Sequence, residues 1–246
     1  PVQYVRFLKG ALVGDFGTSY YYNEPAMSVV LERAPATLTL ACAALLISVV
    51  LGIPAGIVAA VKRNSVSDAV IRVLALLGQC MPAFWLGIML IMLFAVKLGW
   101  MPTGGAEDGL RSLILPAFTL GVFSAATICR LLRSNLIEVL GKEYIDVAKA
   151  KGLPKSKIIG KHALKNAMSS IITILGMQFA SLLGGSVITE QVFAWPGVGR
   201  LVIQSITTSD FAVVECIVFL MAVIFVVINF IVDVLYCVIN PRVRLQ

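Results

Sequence analysis

The chain has 246 residues, 59% hydrophobic and 13% charged, with a mean hydropathy of +0.94 and a formal net charge of +7. Soluble globular domains carry about a quarter charged residues, so this composition excludes an ordinary soluble enzyme and indicates a multi-span membrane protein of one domain. The basic residues flank apolar runs and have no fold to present them to phosphates, which excludes nucleic acid as a partner.

Residues 1–35 are mixed polar and aromatic, too polar to cross a bilayer. Gly14 to Pro25 reads as an irregular loop rich in turn residues. Its Tyr20-Tyr21-Tyr22 run suits a membrane–water interface or ordinary loop packing. The chain opens on Pro1, so a processed or partial copy is expected. Five apolar runs follow, at about 37–61, 70–96, 113–132, 171–188 and 211–239. Each reaches or approaches the ~20 residues of a spanning helix. The first carries Gly52-Ile53-Pro54-Ala55-Gly56, small residues that permit close helix contact. The second is interrupted by Gln79 and Met81-Pro82. Residues 133–170 form a polar, basic loop, and 241–246 a short tail.

Lys and Arg set the orientation. Fourteen of the twenty lie on one side, nine of them in the stretch from Arg130 to Lys165. The other side holds Arg6, Lys9, Arg33, Lys97, Arg111 and Arg200 with most of the acids. The 133–170 loop and the carboxyl end are therefore expected in the cytoplasm, and residues 1–35 outside.

Within that loop, Glu143 and Asp146 open a helix expected to run to about Lys151, with Lys149 and Lys151 in its last turn. Both placements complement the helix dipole. Gly152 follows where helices commonly stop in a left-handed residue, and Pro154 suits the first turn of a second helix. Tyr144, Val147, Ala148 and Lys151 recur at helical spacing as one stripe. The stripe fits a docking helix that lies in a groove on a cytosolic partner. A solvated charged loop is the plainer alternative.

Asp146-Val147-Ala148 followed by Gly152 resembles the cytoplasmic Glu-Ala-Ala, three residues, Gly signature of ATP-binding-cassette importer permeases. Asp146 and Val147 depart from that signature, and of its later Ile-x-Leu-Pro only Leu164 matches. The form from Ala148 to Leu153 and His162 to Ala167 is similar to the dipeptide, oligopeptide and nickel branch. Residues 78–105, 184–201 and 229–244 also resemble that branch, in order, so the likeness covers almost the whole chain. It implies an all-α integral membrane fold, the MetI-like type I importer permease bundle, with five spans here and one expected upstream of residue 1. It further implies two cytoplasmic ATP-binding subunits, a second homologous permease in a heterodimer, and an external solute-binding protein. Tyr144, Asp146, Val147, Ala148, Lys151, Gly152 and Leu153 would couple to the ATPase. Short peptides are the implied cargo, with nickel or another small solute as the alternative within the branch. The inner membrane of a bacterium is the implied location.

No G-x-x-x-x-G-K-[ST] loop occurs, so ATP and Mg are expected on the partner subunits and no cofactor in this chain. His162 is the single histidine and sits in the basic loop without a base's partner. Five cysteines lie scattered in the apolar runs and form no C-x-x-C pair, which speaks for no metal site. No catalytic set is expected. Intramembrane polar groups are functional candidates by default, and Gln79 and Gln178 are the candidates for a pathway wall; helix–helix hydrogen bonding is the alternative for both. An ATP-independent carrier or channel is the reading of another class, which inverted repeats or intramembrane acids would favour.

Overall fold

A computed structural model describes residues 9–239, and these are helical apart from connecting turns and an isolated bridge between Thr18 and Pro25. In chain order α1 is Ala26–Val61, α2 Val66–Cys80 and α3 Ala83–Leu90, which continues as a π-helical turn, Ile91–Lys97. Then come α4 (Leu110–Leu140) and α5 (Glu143–Ala150). Three consecutive helical segments, Lys155–Lys157, the π-helical Ile158–Leu164 and Lys165–Gly185, make up α6. The chain closes with α7 (Val187–Val192), α8 (Val198–Thr207) and α9 (Phe211–Ile239). The expected tail at 241–246 lies outside the described residues.

Three described helices are long and apolar enough to cross a membrane, or five if each of two bent pairs counts as one span. One bent pair falls on the second apolar run; the other joins a helix of the polar loop, Lys155–Met168, to the fourth run. In the second run, Pro82 has no N–H, and its ring pushes Met81 out of helical geometry, to φ −73° and ψ 130°. Two boundaries differ from those the hydropathy pattern predicts. Helix α1 starts at Ala26, so the last residues of the supposed 1–35 loop are helical. Helix α4 runs on through Arg133, Asn135 and Glu138 to Leu140, so the polar loop begins only after that residue. Hydropathy marks where a helix leaves the hydrocarbon, whereas its end is set by where its backbone finds other partners.

The chain divides into two compact units, and α1, α4, α6 and α9 each contribute to both. One unit comprises, of the described residues, 9–44, 83–120 and 180–228. Its core gathers Phe16, Val29, Val30, Leu201, Val213 and Ile217. Here the turn before α8 is built around buried Glu190 on α7. Glu190 Oε1 accepts hydrogen bonds from Thr37 Oγ1 (2.9 Å) and Ser186 Oγ (2.8 Å), and Oε2 accepts from the Arg200 N–H (3.0 Å). Gly197, the N-cap of α8, has no side chain with which to cap. Its place is taken from elsewhere, by Thr37 Oγ1 accepting from the Val198 N–H (2.8 Å) and by Glu190 accepting from the third residue of α8. A Cβ on residue 197 would stand 2.3 Å from Glu190 Oε2, so only glycine leaves the carboxylate its place. Trp195 is buried, and its Nε1 donates to the Ala36 carbonyl (2.9 Å). The Trp195-Pro196-Gly197 turn therefore shapes the fold.

The second unit comprises, of the described residues, 45–82, 121–179 and 229–239. Its core gathers Ile128, Leu132, Leu136, Ile145, Ile158 and Ile171. Gly52 and Gly56, one helical turn apart, let α1 lie directly on α4. A Cβ at Gly52 would meet the Ala125 carbonyl oxygen at 2.7 Å, and one at Gly56 the Cys129 carbonyl oxygen at 2.9 Å. This is the small-residue packing by which helices associate in lipid, where no hydrophobic force drives them together. Gly56→Leu is expected to force α1 off α4 and cost about 1–3 kcal/mol. Thermal unfolding of the detergent-solubilised protein measures this, and Gly56→Ala should cost less.

Candidate functional site: a capped helical hairpin

The second unit holds α5 and the start of α6 as a tight helical hairpin. Gly152 joins them at φ +72°. The Gly152 N–H donates to the Lys149 carbonyl (2.9 Å) and the Leu153 N–H to the Ala148 carbonyl (3.3 Å). These two bonds form the Schellman arrangement, which satisfies carbonyls that a helix end would otherwise leave bare. Leu153 packs against the same core cluster as Ala148, the apolar contact that usually accompanies it. Pro154 precedes the first helical residue, Lys155, as the N-cap rather than standing inside the turn.

One face of α5 is anchored. Ile145 and Ala148 are buried among Ile158, Ala163, Ala167 and Ile171. The other face is bare: Tyr144 is 41% exposed and Val147 54%, and Lys151 is exposed one turn further on. The predicted stripe is thus corrected at one position. Ala148 faces the core, and the outward stripe is Tyr144, Val147 and Lys151. Spacing alone places Ala148 beside both faces; cover from α6 decides between them. Asp146 is exposed and accepts from Lys149 Nζ at 2.7 Å, an exposed pair of little energetic weight. Tyr144 is steadied by Asn166, whose Nδ2 donates to its hydroxyl (3.0 Å) and to the His162 carbonyl (2.9 Å). His162 therefore serves the hairpin through its backbone.

Gln79 and Gln178 are both half-buried in this unit. Gln79 Nε2 reaches Thr127 Oγ1 on α4 at 3.5 Å, a long contact of the helix–helix kind.

Two polar knots escaped the sequence pattern. Asp68, in the first turn of α2, is fully buried and is held bidentately by Arg133 of α4, Nε to Oδ1 at 2.7 Å and Nη2 to Oδ2 at 2.8 Å. Arg72 Nε stands 3.4 Å from the same Oδ1, and the Asn64 N–H donates to Oδ2 at 3.0 Å. Ser65 caps α2 by accepting from the Asp68 N–H (3.3 Å). Ser65-x-x-Asp68 is a capping-box pattern ahead of an apolar run, the one local signal that marks Asp68. In the other unit Ser19 Oγ donates to Asp210 Oδ2, as does the Tyr21 N–H at 3.2 Å. Burial by itself would raise the Asp210 carboxyl, but the Ser19 hydroxyl and the nearby N–H groups of Tyr21, Tyr20 and Val213 outweigh it and hold the group below its usual range. A carboxyl lowered by folding stabilises the fold above its unfolded pKa, and that contribution disappears as pH falls through the folded value. Wild type should therefore melt above Asp210→Asn at pH 7. The gap should close only below about pH 3.9, the unperturbed value.

The described residues are helical, with three to five segments long and apolar enough to cross a membrane and a hairpin left bare on one face, which defines an α-helical membrane protein. Three comparisons narrow the class. The family of binding-protein-dependent transport system inner membrane components matches residues 52–245, and the chain belongs to it. The glutathione transport system permease protein GsiC of Escherichia coli strain K12 is 41% identical over 242 residues, covering 98% of this chain and 79% of that protein. The protein of the same name in Salmonella paratyphi A is 42% identical over 243 residues, covering 99% and 79%. Among solved structures, an inward-facing MetNI methionine ABC transporter chain superposes with a TM-score of 0.74 at 19% identity, covering 87% of this chain and 97% of its own. A chain of an amino acid ABC transporter with histidines gives 0.69 at 17%, covering 85% and 93%. Both structures support the MetI-like all-α permease fold. This protein is the multi-pass inner-membrane permease subunit of an ATP-driven, binding-protein-dependent importer.

Proposed function

We propose that this permease imports short peptides and is driven through the outward stripe of α5. The carrying observation is the hairpin itself: Ile145 and Ala148 lock it to the core while Tyr144 and Val147 are left bare beside Lys151. A helix held on one face and apolar on the other offers a rigid lever to a groove in a partner. Asp146, Gly152 and Leu153 set the lever's polarity, turn and anchorage. Two ATP-binding subunits seat there, each with its ATP and Mg, and a second, related permease completes the pathway. An external binding protein delivers the cargo. The excess of Lys and Arg around the hairpin supports its cytoplasmic placement, with residues 9–25 outside. The peptide reading leans on the relatives whose names specify glutathione, itself a tripeptide. Gln79 and Gln178 belong to the pathway wall in this reading.

The test is to purify the intact complex, identify its subunits, and reconstitute it in vesicles with its binding protein. ATP-dependent accumulation of labelled di- or tripeptides is expected. Uptake that survives ATP depletion and collapses with an uncoupler would overturn the reading.

A further inference from the structure

In the unit of residues 9–44, 83–120 and 180–228, α1, the Tyr21-Tyr22 corner and the first turns of α8 line a cleft of about 330 Å³. Arg33, Arg200, Gln204, Tyr21 and Tyr22 line it, and no carboxylate does. The two tyrosine rings meet edge to face at 5.0 Å and form one wall.

Three observations give the cleft its chemistry. Arg33 Nε is buried and has no hydrogen-bond partner among the described residues. A buried N–H of a cation without an acceptor is costly, so the site is incomplete as it stands. Second, no ion pair among the described residues involves Arg33 or Arg200. Glu190, the acid that accepts from the Arg200 backbone, is occupied by Thr37, Ser186 and that N–H. Third, Arg200 is positioned: its Nη1 donates to the Ala194 carbonyl at 2.7 Å, which fixes the guanidinium while other N–H donors of the fork remain. Two guanidiniums beside an amide, with no acid in the lining, select an anion. The planar guanidinium fork matches a carboxylate in particular. The volume lies at the small end of ligand sites, enough for a carboxylate and the few atoms attached to it.

We infer that this cleft binds the free carboxylate of a small solute, with Arg33 and Arg200 as its charged donors and Gln204 as a neutral one. The assignment of that solute as cargo arriving from outside rests on the importer reading above; the carboxylate chemistry does not.

The test uses the intact complex purified with its partner subunits. Phenylglyoxal modification is followed by peptide mass spectrometry at Arg33, Arg200 and exposed Arg111, the internal control. The probes are trialanine, which carries a free carboxylate, and trialanine amide, which does not. Trialanine should slow modification of Arg33 and Arg200 by roughly tenfold, as expected for a hydrogen bond between charged groups, and leave Arg111 unchanged. The amide should protect neither. In Arg33→Gln, protection of Arg200 should be lost. The inference is overturned if acid and amide protect alike, if trialanine protects neither arginine, or if Arg33→Gln leaves Arg200 protected. It is also overturned if only added solute-binding protein gives protection, for then the carboxylate belongs to that protein. ATP hydrolysis and co-purification of the ATPase are read on the same samples. Their absence alongside intact trialanine protection would count against the importer reading and leave the carboxylate site standing.

Discussion

Arg133→Gln should leave little folded permease. The substitution removes the bidentate donor from Asp68, which is fully buried at the start of α2. Arg72 remains, at 3.4 Å and on an exposed side chain, and the Asn64 N–H remains. Neither replaces a guanidinium fork. A buried charge stripped of its partner destabilises far more than the intact pair contributes. Recovery of monodisperse complex from the membrane, followed by size-exclusion chromatography, should fall roughly tenfold or more. Two companions make the reason visible. Arg133→Lys keeps the charge but cannot bind both oxygens at once, so it should recover only part of the yield. Asp68→Asn combined with Arg133→Gln removes both charges and should recover more than Arg133→Gln alone. If the single substitution expresses at the wild-type level, or the double is worse than the single, the pair is not what ties α2 to α4.

Gly152→Val should uncouple the permease. Residue 152 sits at φ +72°, and no atom outside its immediate chain neighbours would lie within 4 Å of a Cβ built there. The constraint is therefore conformational, not steric crowding by other parts of the fold. A left-handed backbone costs an L-residue about 1–2 kcal/mol, more when it is β-branched. Valine would open the two capping bonds from Gly152 and Leu153 and rotate α5 off its anchor on Ile158 and Ile171. Peptide uptake in reconstituted vesicles is expected to fall about tenfold or more, since that strain and the lost cap act on the one element proposed to carry the stroke. Gly152→Asn is the control, because asparagine adopts the left-handed region more readily. It should keep most uptake. Equal losses for Val and Asn would mean that the left-handed turn is not the reason for glycine at 152.

The difference between Ala148 and Val147 shows how far local pattern reaches. Both stand in the helical repeat of α5, and both are apolar. Spacing puts them on adjoining faces, but only α6, folding back with Ile158 and Ala163, covers one of them. The turn itself is another matter: a dipole-matched helix followed by glycine is a local arrangement, and Gly152 takes the left-handed turn as expected, while Pro154 caps the next helix from just outside its first turn. Gly52 and Gly56 likewise announce close helix contact, though not that α4 is the partner.

The chain's own order of residues determined that it is a membrane protein, where its apolar runs lie, how unevenly Lys and Arg are spread between them, and where the hairpin turns. These follow from transfer free energies and backbone preferences, which each residue carries along with its near neighbours. Only the tertiary structure decided that Asp68 meets Arg133, that Glu190 and Thr37 cap a helix whose own cap is a glycine, and that Arg33 and Arg200 share a cleft. Those partners lie far apart in sequence, apart from Glu190 and α8. A buried polar group is indifferent to where in the sequence its partner comes from, provided the hydrogen bond is made.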